Sequence, residues 1–102
     1  MKISRIQGII RSGNYFFSQH ADEERMSDDL TISEIEESIL EGRILEEYCD
    51  DQRGASCLIA GFTCTGKPIH TVCAGQGGTI VIITVYIPGP PKFITPFERG
   101  SK

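Results

Sequence analysis

The stretch LTISEIEESILEGRILEEY, Leu30–Tyr48, changes its hydrophobic period partway along, and that change decides the fold class. Thr31 and Glu34 stand at capping-box spacing, and Leu30 and Ile35 occupy the two positions of a hydrophobic staple. Ile32, Ile35, Ile39 and Leu40 then form one apolar stripe at helical spacing, which reads as core. Gly42 suits the left-handed position just past a helix end. Beyond it the pattern is strand-like, so helices give way to sheet at this point in the chain.

Toward the N-terminus, Ile3, Ile6, Ile9 and Ile10 recur at helical spacing before Gly13, which predicts a short helix over residues 2–12. Ser18 is placed to cap a second helix over about 19–27, and Tyr15–Phe17 can run extended before it. Toward the C-terminus the strands are Arg43–Asp51, Ser56–Cys64, Pro68–Gly75 and Thr79–Ile87, joined by QRGA, TGK and QGG. Such short links favour antiparallel neighbours, because parallel strands need long crossovers. The expected fold is therefore α+β: two to three N-terminal helices packed on one face of a four-stranded antiparallel β-meander. Residues 1–102 read as a single domain, with residues 88–102 a proline-rich tail that Phe93, Ile94 and Phe97 can dock onto the body.

The apolar run Thr79–Ile87 is too short to span a bilayer as a helix. Lys2, Arg5, Gln7 and Arg11 interrupt any signal-peptide-like stretch, so a cytoplasmic protein without membrane contact is expected. No two of Cys49, Cys57, Cys64 and Cys73 form a C-x-x-C pair, and all four read as reduced, strand-borne small hydrophobes. The net charge of −4 is unevenly spread: residues 1–20 carry +3, residues 21–51 carry −11 and residues 52–102 carry +4. Helices built from the middle third would give an acidic side, and the sheet a mildly basic one. A basic face of that size can still meet a phosphate backbone, so total charge does not settle the partner.

Within GKPIHTVCAGQGGTIVIITVY, Gly66–Tyr86, His70 is an imidazole in one arm of an apolar hairpin. Strand parity puts His70, Val72 and Ala74 on one face and Ile69, Thr71 and Cys73 on the other. Ile80, Ile82, Thr84 and Tyr86 share a face of the next strand. With Ala74 opposite Ile80, His70 lies opposite Thr84 with Tyr86 diagonal to it. A three-residue turn at Thr65–Lys67 adds Phe62 beside His70, and a slip of one residue dissolves the cluster. His20, in the second helix, shares a face with Glu24 four residues on. Either histidine alone reads as structural or as functional.

The segments SQHADEERMSDDLT, YCDDQRGASCLIAGFTCTGKPIHTVCA and IITVYIP, with a later aromatic and Arg99, resemble the bacterial family called domain of unknown function 4258. The resemblance runs from about Ser18 to Arg99 and is carried by His20, Glu24, Tyr48, Arg53, Gly54, Gly66, Pro68, His70, Thr84, Tyr86 and Arg99. It implies the RelE/ParE-like toxin superfamily, small α+β proteins that include RNA-cleaving toxins of type II toxin–antitoxin modules. It also implies a cognate antitoxin, of zinc-finger MqsA-like type, as partner, and mRNA as substrate.

Metal-free RNA cleavage needs a base for the 2′-hydroxyl, an acid for the leaving 5′-oxygen and a cation for the phosphate. Histidine and arginine supply these near neutral pH. The residues expected to carry the chemistry are His70, His20, Arg53, Tyr86 and Thr84, with Arg99, Lys67, Glu24 and Tyr48 contacting substrate. No cofactor and no metal is expected. Arg53 can instead simply pair with Asp50 and Asp51. Two other functions compete: a non-catalytic protein-binding module of the same fold, and a metal enzyme using His20, Glu24 and His70.

Overall fold

The computed structural model describes residues 2–51, 54–89, 93–95 and 97–99. Three helices, α1 (Ile3–Ser12), α2 (Gln19–Ser27) and α3 (Ile32–Leu40), precede the main strands. A short β1 (Tyr15–Phe17) lies between α1 and α2. The strands that follow are β2 (Arg43–Asp51), β3 (Gly54–Phe62), β4 (Pro68–Gln76) and β5 (Thr79–Tyr86). A small ribbon of β6 (Phe93–Thr95) and β7 (Glu98–Arg99) comes last.

The fold is α+β, but its sheet is five-stranded and mixed, in the order β1-β5-β4-β3-β2. The expected four-stranded meander is present as β2–β5. The fifth strand corrects the expectation: Tyr15–Phe17 pairs in parallel with Ile80–Ile82. A parallel partner is far away in sequence, so no short turn announces it.

Local chemistry sets the helices. In α3 the Thr31 hydroxyl accepts from the Glu34 N–H while the Glu34 carboxylate accepts from the Thr31 N–H, a complete capping box. Leu30, Ile35 and Ile39 enter the core, where each buried side chain contributes about 1.5–3 kcal/mol. Ile32, in the first turn, stays exposed. Gly13 ends α1 in the left-handed conformation at φ 81°.

Gly42 has another reason to be glycine, since it is not in the left-handed region expected of it. A Cβ there would lie 2.5 Å from the Ser38 carbonyl oxygen and 2.8 Å from that of Ala60. At Gly61 the corresponding Cβ would be 1.9 Å from the Ser38 oxygen. The end of α3 thus sits flush on β3, and two glycines permit the approach.

The Thr31 N–H bond and the Lys67 ammonium, 3.0 Å from its carboxylate, hold Glu34 below its ordinary value of 4.5. A carboxyl depressed in the folded state stabilises it above the unfolded value and loses that contribution as pH falls through the folded one. A side-chain NMR titration is expected to place the Glu34 midpoint below 4.5, and Lys67→Met to move it back up.

Cys57 and Cys73 oppose each other on β3 and β4, both buried. The contact with Cys57, together with burial, pushes the Cys73 thiol up, so it stays protonated and packs as a small hydrophobe. Cys64 departs from the expected strand: β3 stops at Phe62, and a turn closed by Thr63 N–H to Lys67 and Gly66 N–H to Thr63 leaves Cys64 exposed. The Cys49 side chain lies outside the described residues.

Beside this layer Thr71 is fully buried, and its hydroxyl has no hydrogen-bond partner among the described residues. Such a group carries a desolvation penalty that valine removes at nearly constant shape. Thr71→Val is expected to stabilise the fold by about 1 kcal/mol, read as a rise in Tm of roughly 5 °C.

Among the described residues no helix is long and apolar enough to cross a membrane.

Candidate functional site

The β4–β5 connection determines which side chains meet His70. Gly77 and Gly78, at φ 55° and 76°, form a two-residue turn that pairs Gln76 with Thr79 and Ala74 with Val81. Left uninterrupted, that register would turn Tyr86 toward the helices. Ile83 is an extra residue, however, a bulge between the Cys73–Ile82 and Val72–Thr84 pairs. It shifts parity by one, so that Thr84 and Tyr86 join the His70 face while Val85 enters the core.

His70 therefore lies directly opposite Tyr86, and Thr84 opposite Val72. This corrects the expected register, in which Thr84 was opposite His70 and Tyr86 diagonal. Ala60, not Phe62, is the neighbour of His70 on β3. The Nδ1 of His70 is 3.2 Å from the Tyr86 hydroxyl, and the rings are tilted with centroids 5.3 Å apart. His70 is 0 % exposed.

The helices cover the opposite face. Ile6, Ile10, Ile35 and Ile39 share one core cluster with Cys57, Ile59, Ile69, Cys73, Ile82 and Val85, whose β4 members have the other parity from His70. On the His70 face, the registers align Arg43, Ala60, His70 and Tyr86 in one cross-strand row. Phe97, from the segment joining β6 to β7, packs on Phe62 at 5.7 Å between centroids, with the Arg43 guanidinium 4.2 Å from its ring centroid. The C-terminal ribbon thus returns to the helix-free face.

The second histidine reaches the same end of β5 from α2. Past Phe17, β1 no longer covers the β5 edge, and α2 satisfies it instead. The Ser18 N–H donates to the Ile82 carbonyl and the Ser18 hydroxyl to that of Ile83, while Ser18 also caps α2 by accepting from Ala21. One oxygen of Glu24 accepts from the Val85 N–H at 3.0 Å and from the Thr84 hydroxyl. Its other oxygen is 3.3 Å from His20 Nε2. The His20 side chain is 68 % exposed.

The fold thus places His70 on Tyr86 and links His20 through Glu24 to Thr84, two positions earlier on β5. It does not bring Lys67 there, because Lys67 pairs with Glu34 on α3. Tyr48 is on the His70 face two registered rows away, with its hydroxyl 2.6 Å from Glu46. Arg53 and the side chain of Arg99 lie outside the described residues. His20 and Glu24 meet as the metal hypothesis required, but His70 is engaged by Tyr86. Among the described residues no group of three His, Cys, Asp or Glu is placed to hold a metal. Sequence reasoning missed Arg43; the β2–β3 register, had it been known, would have put Arg43 in the His70 row.

Residues 17–87 match the model of a family described as Domain of unknown function (DUF4258). No curated protein and no solved structure matches the chain.

Proposed function

The chain belongs to that family, and from this premise and the site geometry we propose that it is a toxin-like component of a bacterial type II toxin–antitoxin module. In this proposal it has a RelE/ParE-like fold and cleaves mRNA without a metal. The observation that carries the proposal is the pair of imidazoles at one end of β5: His70 on Tyr86 at 3.2 Å, and His20 on Glu24 at 3.3 Å.

Cleavage through the 2′-hydroxyl needs one proton acceptor and one donor on either side of a phosphate. His20, open to solvent and oriented by Glu24, takes the 2′-hydroxyl proton as O2′ attacks phosphorus. Tyr86 gives its hydroxyl proton to the leaving 5′-oxygen as the P–O5′ bond breaks, and regains one through His70 Nδ1. His70, fully buried, acts through Tyr86 and not on the substrate. Arg43, in the same row with one face of its guanidinium on Phe97, supplies its N–H edge as the cation for the phosphate charge. The products are a 2′,3′-cyclic phosphate and a 5′-hydroxyl. The cognate antitoxin, zinc-finger and MqsA-like, would be the physiological partner.

The complete burial of His70 favours a second function, a non-catalytic protein-binding module in which His70 and Tyr86 only fix that end of the sheet. Induction in a bacterial host separates the two, with wild type beside His70→Ala, Tyr86→Phe and His20→Ala. Growth arrest with RNA breakdown, lost in variants that keep a folded circular-dichroism spectrum, supports the ribonuclease. Absence of arrest, with tight binding to the product of a neighbouring gene, would sink it.

A further inference from the structure

Where the end of α3 meets the β3–β4 turn there is an open groove of about 600 Å³. Leu40 and Phe62 give it an apolar floor, and Glu37 and Glu41 wall it. Phe62 is 37 % exposed there despite its contact with Phe97. Glu37 is held in place by the Cys64 backbone N–H at 3.3 Å and its thiol at 3.6 Å.

The charge placement runs against the helix. The C-terminal end of a helix carries negative partial charge and favours cations, yet α3 has no basic residue in its last turn and carries Glu37 and Glu41 there. The Glu41 side chain has no hydrogen bond or ion pair among the described residues. Two carboxylates and a helix C-terminus line one groove with Leu40 and Phe62, leaving negative charge there that an incoming cation would offset. A bare metal ion does not explain the apolar floor; a Lys or Arg beside an apolar side chain does.

We infer that this groove docks a basic amphipathic segment of a protein partner, its apolar residues on Leu40 and Phe62 and its Lys or Arg against Glu37 and Glu41. The inference rests on the toxin proposal only in naming that partner as the antitoxin. The groove is built from α3 and the β3–β4 turn, not from His20, Glu24 or Tyr86, so docking and cleavage are separable.

The test uses the full chain with an amphipathic helical peptide of leucine and lysine, reading affinity and the alkylation rate of Cys64. The peptide is expected to slow Cys64 alkylation at least fivefold. Glu41→Lys is expected to weaken binding at least tenfold. Glu23→Lys, the same change of charge on exposed α2, is expected to weaken it less than twofold, and Tyr86→Phe to bind as wild type. Equal weakening by the two charge reversals would reduce the effect to net charge and overturn the inference. So would an unprotected Cys64, loss of binding in Tyr86→Phe, or protection of Cys64 by an RNA oligonucleotide in place of the peptide.

Discussion

Gly61→Ala is expected to destabilise the protein by about 3 kcal/mol or more, lowering Tm by roughly 15 °C or preventing folding. The added Cβ would fall 1.9 Å from the Ser38 carbonyl oxygen and 2.8 Å from its carbonyl carbon. Both are backbone atoms, so no rotamer change relieves the clash and α3 must lift off β3. That movement would disturb Ile35, Ile39 and Leu30, all fully or almost fully buried. Gly8→Ala is the natural control. Gly8 is exposed in the middle of α1 with nothing within 4 Å of an added Cβ. There alanine is expected to stabilise by about 1 kcal/mol through helix propensity. Thermal denaturation of both variants checks the contrast; a neutral Gly61→Ala would mean that α3 does not rest on β3 as closely as described.

The second large effect is on activity. Tyr86→Phe and His20→Ala are each expected to slow RNA cleavage by about 10²-fold or more, the usual contribution of a positioned proton-transfer group. Tyr86→Phe removes one hydroxyl and keeps the ring that packs on His70, so the fold is expected to persist. His20 is exposed, and its loss leaves the bonds from Glu24 to Thr84 and Val85 in place. If the two groups serve the same step, the double variant is expected to be little slower than either single one. Losses that multiply fully would assign them to independent steps. Wild-type rates in both variants would remove them from the chemistry.

How much of this was legible in the sequence depends on the range of the interactions involved. α2 and α3 follow from local signals: the Ser18 cap and the Thr31–Glu34 box bond within three residues, and both helices lie where those signals put them. The β2–β5 meander follows from short glycine turns. β1 was legible only as an extended stretch, because its partner Ile80–Ile82 is more than sixty residues away. The grouping of His70, Thr84 and Tyr86 was legible from residue types, but its register was not. Two displacements, the tighter Gly77–Gly78 turn and the bulge at Ile83, each shift the pairing by one. Their combined effect keeps Thr84 and Tyr86 on the His70 face but puts Ile80 and Ile82, expected to share that face, in the core instead. It also exchanges which residue His70 touches. The bond from Glu24 to the β5 edge joins residues 60 positions apart, and helical spacing revealed only its His20 half. Gly42 had the right identity for a different cause: closeness to Ser38 and Ala60, not backbone handedness.

The most direct measurement is incubation of the purified protein, in excess chelator, with a single-stranded RNA and with the same oligonucleotide carrying 2′-deoxyribose throughout. Wild type is expected to cut the RNA into fragments ending in 2′,3′-cyclic phosphate and 5′-hydroxyl, to leave the deoxy strand intact, and to lose this activity in Tyr86→Phe. An RNA left uncut by folded wild type, a deoxy strand cut equally well, or cleavage that vanishes with the chelator would contradict metal-independent cleavage through the 2′-hydroxyl.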